Sequence, residues 1–364
     1  MNWQDYFPGV SDPRVVGRTD HKLNDILMIA LCSTISDGDT FEDMADYGQD
    51  KQAFLRQFLE LPNGIPSHDT FRRVLSLVRV DELDAVLRQQ AARLLQTLAH
   101  RHVCLDGKEL RGTIPAGRKH ALVHLLSAWA VEHQQSLGQL RVESKTNEIS
   151  LIKPLLSSLE LTDSLVTIDA IACQPGIVAQ LVEQGASYLI GLKANQDTLF
   201  EQVRDWMLRY ESTPAHYTQR SLDHGRAELR ELWLSPDLDL LETTQPWAGL
   251  NTLIMTRTHR WIGQQCSVTN RFYISNLATA TAHQVGGYIR EHWSIENQLH
   301  WRLDVVFGED DSQVRHPLAA QNLALLRKMA LSALRREPTP MSMNRKRKKA
   351  ARDENYLLQV IQQL

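Results

Sequence analysis

The chain has 364 residues, 43% of them hydrophobic and 23% charged, with a formal net charge of −3. That length allows two or three domains and at least one large core, and the composition is that of an ordinary water-soluble globular protein. The longest apolar run, Ile26 to Cys32, is too short to cross a bilayer, and the first residues lack a secretion signal, so no membrane partner is expected.

Residues 20–97 read as helical. Leu23, Ile26, Leu27, Ala30 and Leu31 follow helical spacing, and "SDGDTFEDMADYG" offers a turn, a Thr40 cap and a glycine stop at Gly48. "LPNGIPSHDTFRRVLSLV" offers a turn and then a capped helix from about Thr70, on which Arg72 and Arg73 face either DNA or plain solvent. A small all-helical N-terminal domain over 1–98 is expected. From His102 the pattern changes to three strands, "HVCLD", "ALVHLLSAWAV" and "GQLRVES". Helix "NEISLIKPLLSSL", strand "SLVTIDA", helix "PGIVAQLVEQG" and strand "SYLIGLK" follow, which predicts an α/β fold with a mixed sheet flanked by helices. Residues 212–277 are strand-rich and irregular, helical spacing returns from Ala282 to Leu303, and a further helix spans about 317–335. The chain ends in a basic tail over 341–364, where Arg345 to Asp353 carries six cations and one anion. The remainder of the chain is therefore −8, so any phosphate binding rests on local patches. Four scattered cysteines with no Cys-x-x-Cys pair suggest neither a structural zinc site nor a disulfide framework, and fit a reducing cytoplasm.

Three acidic residues stand out. Asp106 and Asp169 each end an apolar strand, and adjacent strand ends lie about 5 Å apart, close enough to share a metal ion. Like charges held together call for a cation. Each aspartate, taken alone, is more simply the residue that begins a turn or caps the following helix. Glu296 lies four residues from His292 and from His300, so the three share a helix face. They lack the His-Glu-x-x-His order of zinc proteases, and an ordinary surface helix explains the pattern as well. Two strand-end aspartates and one helical glutamate are the parts of a two-metal phosphoryl-transfer site, for which hard carboxylate oxygens suit two Mg²⁺ ions, with Mn²⁺ able to substitute.

Nine segments in order resemble one family: "GIPSHDTFRRV", "LDGKELRG", "KTNEISLIKPLL", "IDAIACQ", "YLIGLKANQ", "HGRAELREL", "RFYISNL", "HWSIENQLHWRLDVVFGEDD" and "RKRKKAARDENYLL". They are similar to the H-repeat-associated, Rhs-linked DDE transposases of bacterial insertion sequences, over about Asp12 to Leu358. The resemblance implies a ribonuclease H-like catalytic domain over 99–340, with a β-strand insertion near 212–277 and a transposase-associated helical domain before it. It implies Asp106, Asp169 and Glu296 as the catalytic, metal-binding triad. The expected partner is double-stranded DNA, both element ends and target, met by a homodimer in a cytoplasmic, nucleoid-bound complex.

The broader insertion-sequence group carries Tyr-x-x-Arg-x-x-x-Glu, with Lys seven residues on; here His292 stands at the arginine position and Leu303 at the lysine position. Arg290, His292 and Lys193 are the expected substitutes for those phosphate contacts. Lys108, Arg111, Arg226 and the tail cations Arg345, Lys346, Arg347, Lys348, Lys349 and Arg352 are further candidates for DNA-backbone contacts. His224 could line the approach to DNA, and Trp261 or Trp301 could wedge between bases, with packing as the simpler role for both. The competing readings are a domesticated DNA-binding protein and a metal-dependent nuclease that cuts without joining.

Overall fold

The computed structural model describes residues 3, 6–15, 17, 19–95, 101–114, 121, 123–142, 148–223, 225–239, 241 and 247–364. Five helices come first: α1 (Leu23–Ile35), α2 (Phe41–Asp50), α3 (Gln52–Leu55), α4 (His68–Leu75) and α5 (Val80–Leu95). Every α1 residue except Asn24 is buried, so α1 is a core helix wrapped on all sides rather than an amphipathic surface helix. Thr40 opens α2 with a capping box: its hydroxyl accepts from the Asp43 amide at 3.0 Å, and the Asp43 carboxylate accepts from the Thr40 amide at 2.9 Å. Gly48, expected as a stop, lies inside α2, because the helix packs so closely on Ile65 there that a Cβ would collide with it.

The middle of the chain builds one sheet. Its elements are β1 (His102–Glu109), β2 (His124–Ala130), β3 (Gln135–Val142), α6 (Glu148–Ser157), β4 (Leu165–Ile168), α7 (Pro175–Glu183), β5 (Ser187–Leu192) and α8 (Asp197–Met207). Then come β6 (Tyr217–Asp223), β7 (Arg226–Ser235), β8 (Thr252–Ile262) and β9 (Gln265–Ser275). The strand order is β3-β2-β1-β4-β5-β9-β8-β7-β6, with β1, β4 and β5 parallel and the other neighbours antiparallel. The strand-rich region after residue 212 therefore continues the main sheet. Its β9 pairs with β5 only from Leu189↔Ser275 to Leu192↔Phe272, so residues 265–271 run on past the end of β5. At about 3.3 Å per residue, this arm projects about 20 Å beyond the C-terminal edge of the parallel strands.

Alternation on β1 and β4 sends Val103, Leu105, Val166 and Ile168 into a core with α6, α7 and α8. The opposite face is covered by α9 (Ala282–His292), a π-helical turn (Ile295–His300), α10 (Trp301–Phe307) and α11 (Pro317–Arg336). Gly308, at φ 56°, adopts the left-handed conformation that ends α10.

The N-terminal helices do not close a core of their own. Their apolar side chains merge with those of α10, α11 and two last helices, α12 (Met343–Arg352) and α13 (Glu354–Ile361). The expected basic tail is thus a packed element. Its cations bond the carbonyl ends of other helices, where positive charge is favoured. Arg347, 1% exposed, donates to Thr34 O of α1 at 3.1 Å and to the Asp39 carboxylate at 2.8 Å, and lies over the Phe307 ring. Lys346 donates to Leu334 O of α11 at 2.8 Å and pairs with Glu337 at 3.1 Å. No helix among the described residues is long and apolar enough to cross a membrane.

Candidate active site

On β1, His102, Cys104, Asp106 and Lys108 share the face that the α9–α10 segment covers. The parallel ladder pairs Cys104 with Thr167 and Leu105 with Ile168. The next residues are Asp106 and Asp169, so the two carboxylates stand at the same level on neighbouring strands. Asp169 follows the end of β4, whereas Asp106, expected to end its strand, lies inside β1, which runs on to Glu109 because it stays paired with β2 through Asp106↔Ser127. Asp169 turns into a short 3-10 segment, where its Oδ1 accepts from the Ala170 amide at 2.7 Å. One strand further on, Lys193 follows β5 and places its ammonium 3.2 Å from Asp169 Oδ2. Gly191 permits this closeness, since a Cβ there would stand 3.2 Å from the Ala170 nitrogen and 3.4 Å from Asp169 Oδ1.

A series of polar contacts fastens the covering segment to these strands. Glu291 Oε2 is 3.2 Å from His102 Nδ1, and the Thr167 hydroxyl is 2.9 Å from both His102 Nε2 and His292 Nδ1. Glu296, in the π-helical turn, is reached through His300, whose Nδ1 lies 3.2 Å from Glu296 Oε2 and 3.4 Å from Asp106 Oδ2. Lys108 donates to the Asp304 carboxylate, to Glu309 Oε2 at 2.9 Å and to His300 O at 3.4 Å. Asp106, Asp169 and Glu296 all line one cavity of about 410 Å³, together with Lys193, His292 and Trp293.

The electrostatics favour the ionised forms of Glu296 and Asp169. The hydrogen bond from His300 holds the Glu296 carboxyl below its ordinary range. Burial pushes Asp169 upward, but the Ala170 amide and Lys193 outweigh it and leave it lowered. Burial drives the His292 imidazole down to about 4, with the charge of His102 acting in the same direction. The donor set is all carboxylate oxygen plus one imidazole: Asp106, Glu296 and His300 each bring an atom within 4.8 Å of the others and could hold a metal ion. Asp169 stands outside that trio, engaged by Lys193 in the same cavity. Hard oxygen ligands in this number suit a divalent cation of the Mg²⁺ or Mn²⁺ type.

The sequence profile described as Transposase DDE domain matches residues 97–333, and the one described as DDE_Tnp_1-associated matches residues 4–91. The chain belongs to the DDE transposase family. Its relatives include the Escherichia coli K12 protein named "H repeat-associated putative transposase YhhI", 33% identical over 362 residues that cover 97% of this chain and 95% of that one. The Escherichia coli O157:H7 protein named "Putative transposase YncI" is 32% identical over 98% of this chain and 93% of its own length. These near full-length matches place the chain among the H repeat-associated DDE transposases of insertion sequences. Among solved structures, a piggyBac transposase synaptic complex with hairpin DNA aligns with 99% of this chain and 77% of its own at 10% identity; its TM-score of 0.45 is too low to carry an argument.

In this transposase, several cations expected to meet DNA are turned inward. Lys108, 11% exposed at its side chain, neutralises Asp304 and Glu309, because a carboxylate as buried as Glu309 needs a paired charge. Lys346 and Arg347 are buried in the helical core, as described above, so these three cations are corrected from DNA contacts to internal supports. His292 is a neutral imidazole bonded to Thr167, and it does not replace the charge of an arginine. Lys193, Arg111, Arg226, Arg290, Arg345, Lys348 and Arg352 are exposed, and Lys349 is half-buried over the Tyr356 ring. Arg226 sits at the tip of the β arm, outside the cavity lining. His224 lies outside the described residues.

Sequence reasoning missed the parts played by His102, Thr167 and Lys108. The alternation His102-Cys104-Asp106-Lys108 on one strand was the available signal. It places four non-aliphatic side chains on a face that helices cover.

Proposed function

We propose that this chain cleaves DNA at the ends of an insertion-sequence-like element and joins the freed 3′ ends to target DNA by phosphoryl transfer. The observation that carries this reading is the placement of Asp106 and Asp169 one residue beyond a matched pair on parallel strands, with Glu296 in the same cavity. We read β3-β2-β1-β4-β5 as the ribonuclease H-like part and β6–β9 as the insertion.

Two divalent cations, Mg²⁺ or Mn²⁺, would be held by Asp106 with Asp169 and by Asp106 with Glu296, and would supply activation of a water or 3′-hydroxyl and screening of phosphate charge. The protein's own groups do the positioning. Asp169 and Glu296 stay ionised by the neighbours described above. Lys193 is an exposed ammonium at the cavity that can pass from Asp169 to a phosphate oxygen. Arg111, Arg290 and Arg226, with Arg345, Lys348, Lys349 and Arg352 of α12, are the surface cations proposed to hold the DNA backbone, which position the duplex without reading its sequence. A homodimer would pair two element ends.

Asp106→Asn, Asp169→Asn and Glu296→Gln should each lower Mg²⁺-dependent nicking of end-bearing DNA at least about a thousandfold, with DNA affinity within a few-fold of the parent. Nicking at the parental rate by any of them would refute the assignment. Strand transfer from pre-cut ends separates a transposase from a nuclease that only cuts.

A further inference from the structure

The contacts of His300 exceed what a packing residue needs. Its side chain is 4% exposed, and Nδ1 faces two carboxylate oxygens at once, Asp106 Oδ2 at 3.4 Å and Glu296 Oε2 at 3.2 Å. A bare nitrogen lone pair would repel both oxygens, so Nδ1 must carry a hydrogen and share it between them. At the other side of the ring, Nε2 is buried with no partner from the protein among the described residues. A buried acceptor without a partner is somewhat less rare than a buried N–H without one. The contacts therefore place the donated hydrogen on Nδ1. The main chain beneath it is held as well, because the Lys108 ammonium bonds the His300 carbonyl at 3.4 Å from the same strand face that bears Asp106.

We propose that His300 is a positioning residue that pre-assembles Asp106 and Glu296 for a divalent cation, and is not itself a ligand of that cation. The proposal rests on the reading of Asp106 and Glu296 as cation-holding groups. The two carboxylates come from elements far apart in sequence and repel each other across the cavity. One shared N–H lowers that repulsion before any cation arrives. Each carboxylate has two oxygens, so a bond to His300 is compatible with a cation bound through the other. Ligation by His300 through Nδ1 would instead force its hydrogen onto Nε2, where no acceptor waits. The trio that looks like an oxygen–oxygen–nitrogen metal site is, on this argument, an oxygen–oxygen site with an imidazole support behind it.

The test titrates Mn²⁺ alone into the full-length parent, His300→Leu, His300→Asn and Asp106→Asn, reading free Mn²⁺ by electron paramagnetic resonance and folding by thermal melting. Asparagine can place an amide N–H where Nδ1–H lies, while leucine fills the space without a donor. His300→Leu is expected to weaken Mn²⁺ binding about tenfold, the usual effect of losing a group that orients a ligand, with nicking kcat largely recovered at saturating Mn²⁺. His300→Asn should restore binding to within about threefold of the parent. Spin-echo spectra of parental Mn²⁺ should show no directly bonded nitrogen. A bonded nitrogen that disappears in either His300 variant would overturn the proposal, as would parental Mn²⁺ affinity in a folded His300→Leu. Should leucine prevent folding, the asparagine variant decides: a folded His300→Asn with affinity reduced about tenfold or more overturns it. If the parent binds no Mn²⁺, or Asp106→Asn binds it equally well, the underlying cation site fails and the role of His300 falls with it.

Discussion

Lys108 and Lys193 both stand near the carboxylates proposed to be catalytic, and their surroundings give them opposite roles. Lys108 is enclosed and spends its charge on Asp304 and Glu309, whereas Lys193 remains 67% exposed at its side chain and faces Asp169 across the cavity mouth. His292 illustrates the same logic with a titrating group. Burial lowers it from 6.5 to about 4, so an unfolded chain takes up a proton at His292 between those values and the folded chain does not. Stability linked to His292 is complete above pH 6.5 and falls as the pH drops toward 4, by up to about 3 kcal/mol. His292→Gln should flatten that part of the stability curve, as measured by urea unfolding at a series of pH values. An unchanged slope would show that His292 protonates freely in the folded protein.

At the level of elements, the decisive feature is how one segment is laid over β1 and β4. The α9–α10 run changes from α to π geometry at Ile295–His300, the stretch that carries Glu296. Such π turns are frequent at functional sites, and this one is held by Lys108 at the His300 carbonyl. Helix α12 shows a second kind of division, between its two sides. Lys346, Arg347 and Ala350 face the core, and Arg345, Lys348 and Arg352 face solvent. Only the outer side is available to a DNA backbone. Replacing Arg345, Lys348 and Arg352 together by Gln should reduce the magnitude of the salt slope of DNA binding by about 2 to 3, since each phosphate neutralised contributes about 0.9. Affinity measured across a salt series checks this, and an unchanged slope removes α12 from the DNA footprint.

Across the whole molecule, both ends of the chain meet in one helical core, and that core is wired to the sheet by buried charge. Glu309 lies between Lys108 of β1 and Arg327 of α11, with N–O separations of 2.9 and 4.0 Å. Lys328 of α11, pushed down to about 8 by burial, reaches Ser127 of β2 at 2.9 Å. Removing one member of such a network leaves its partners charged and unpaired in a poorly solvated place. Lys108→Met should therefore cost about 3–5 kcal/mol, seen as a lower urea midpoint in one cooperative transition. A loss below about 1 kcal/mol would show that water reaches Asp304 and Glu309 freely.

The sequence by itself determined the alternation of elements. The strand at His102, the strand ending at Asp169 and the helix near 317–335 were legible because local apolar periodicity depends on near neighbours in the chain. It also carried the family, through nine short segments in fixed order. What it did not determine was the destination of each charge. "RKRKKAAR" reads as a solvated basic run, yet two of its cations are buried, and Lys108 reads like Lys193 although one is an enclosed strut and the other an exposed cation paired with Asp169. Burial of a cation depends on carbonyls and carboxylates brought in from far along the chain, here Thr34 for Arg347 and Glu309 for Lys108. Those partners are chosen by tertiary packing, so only the folded structure decides which cations remain for DNA and which hold the protein together.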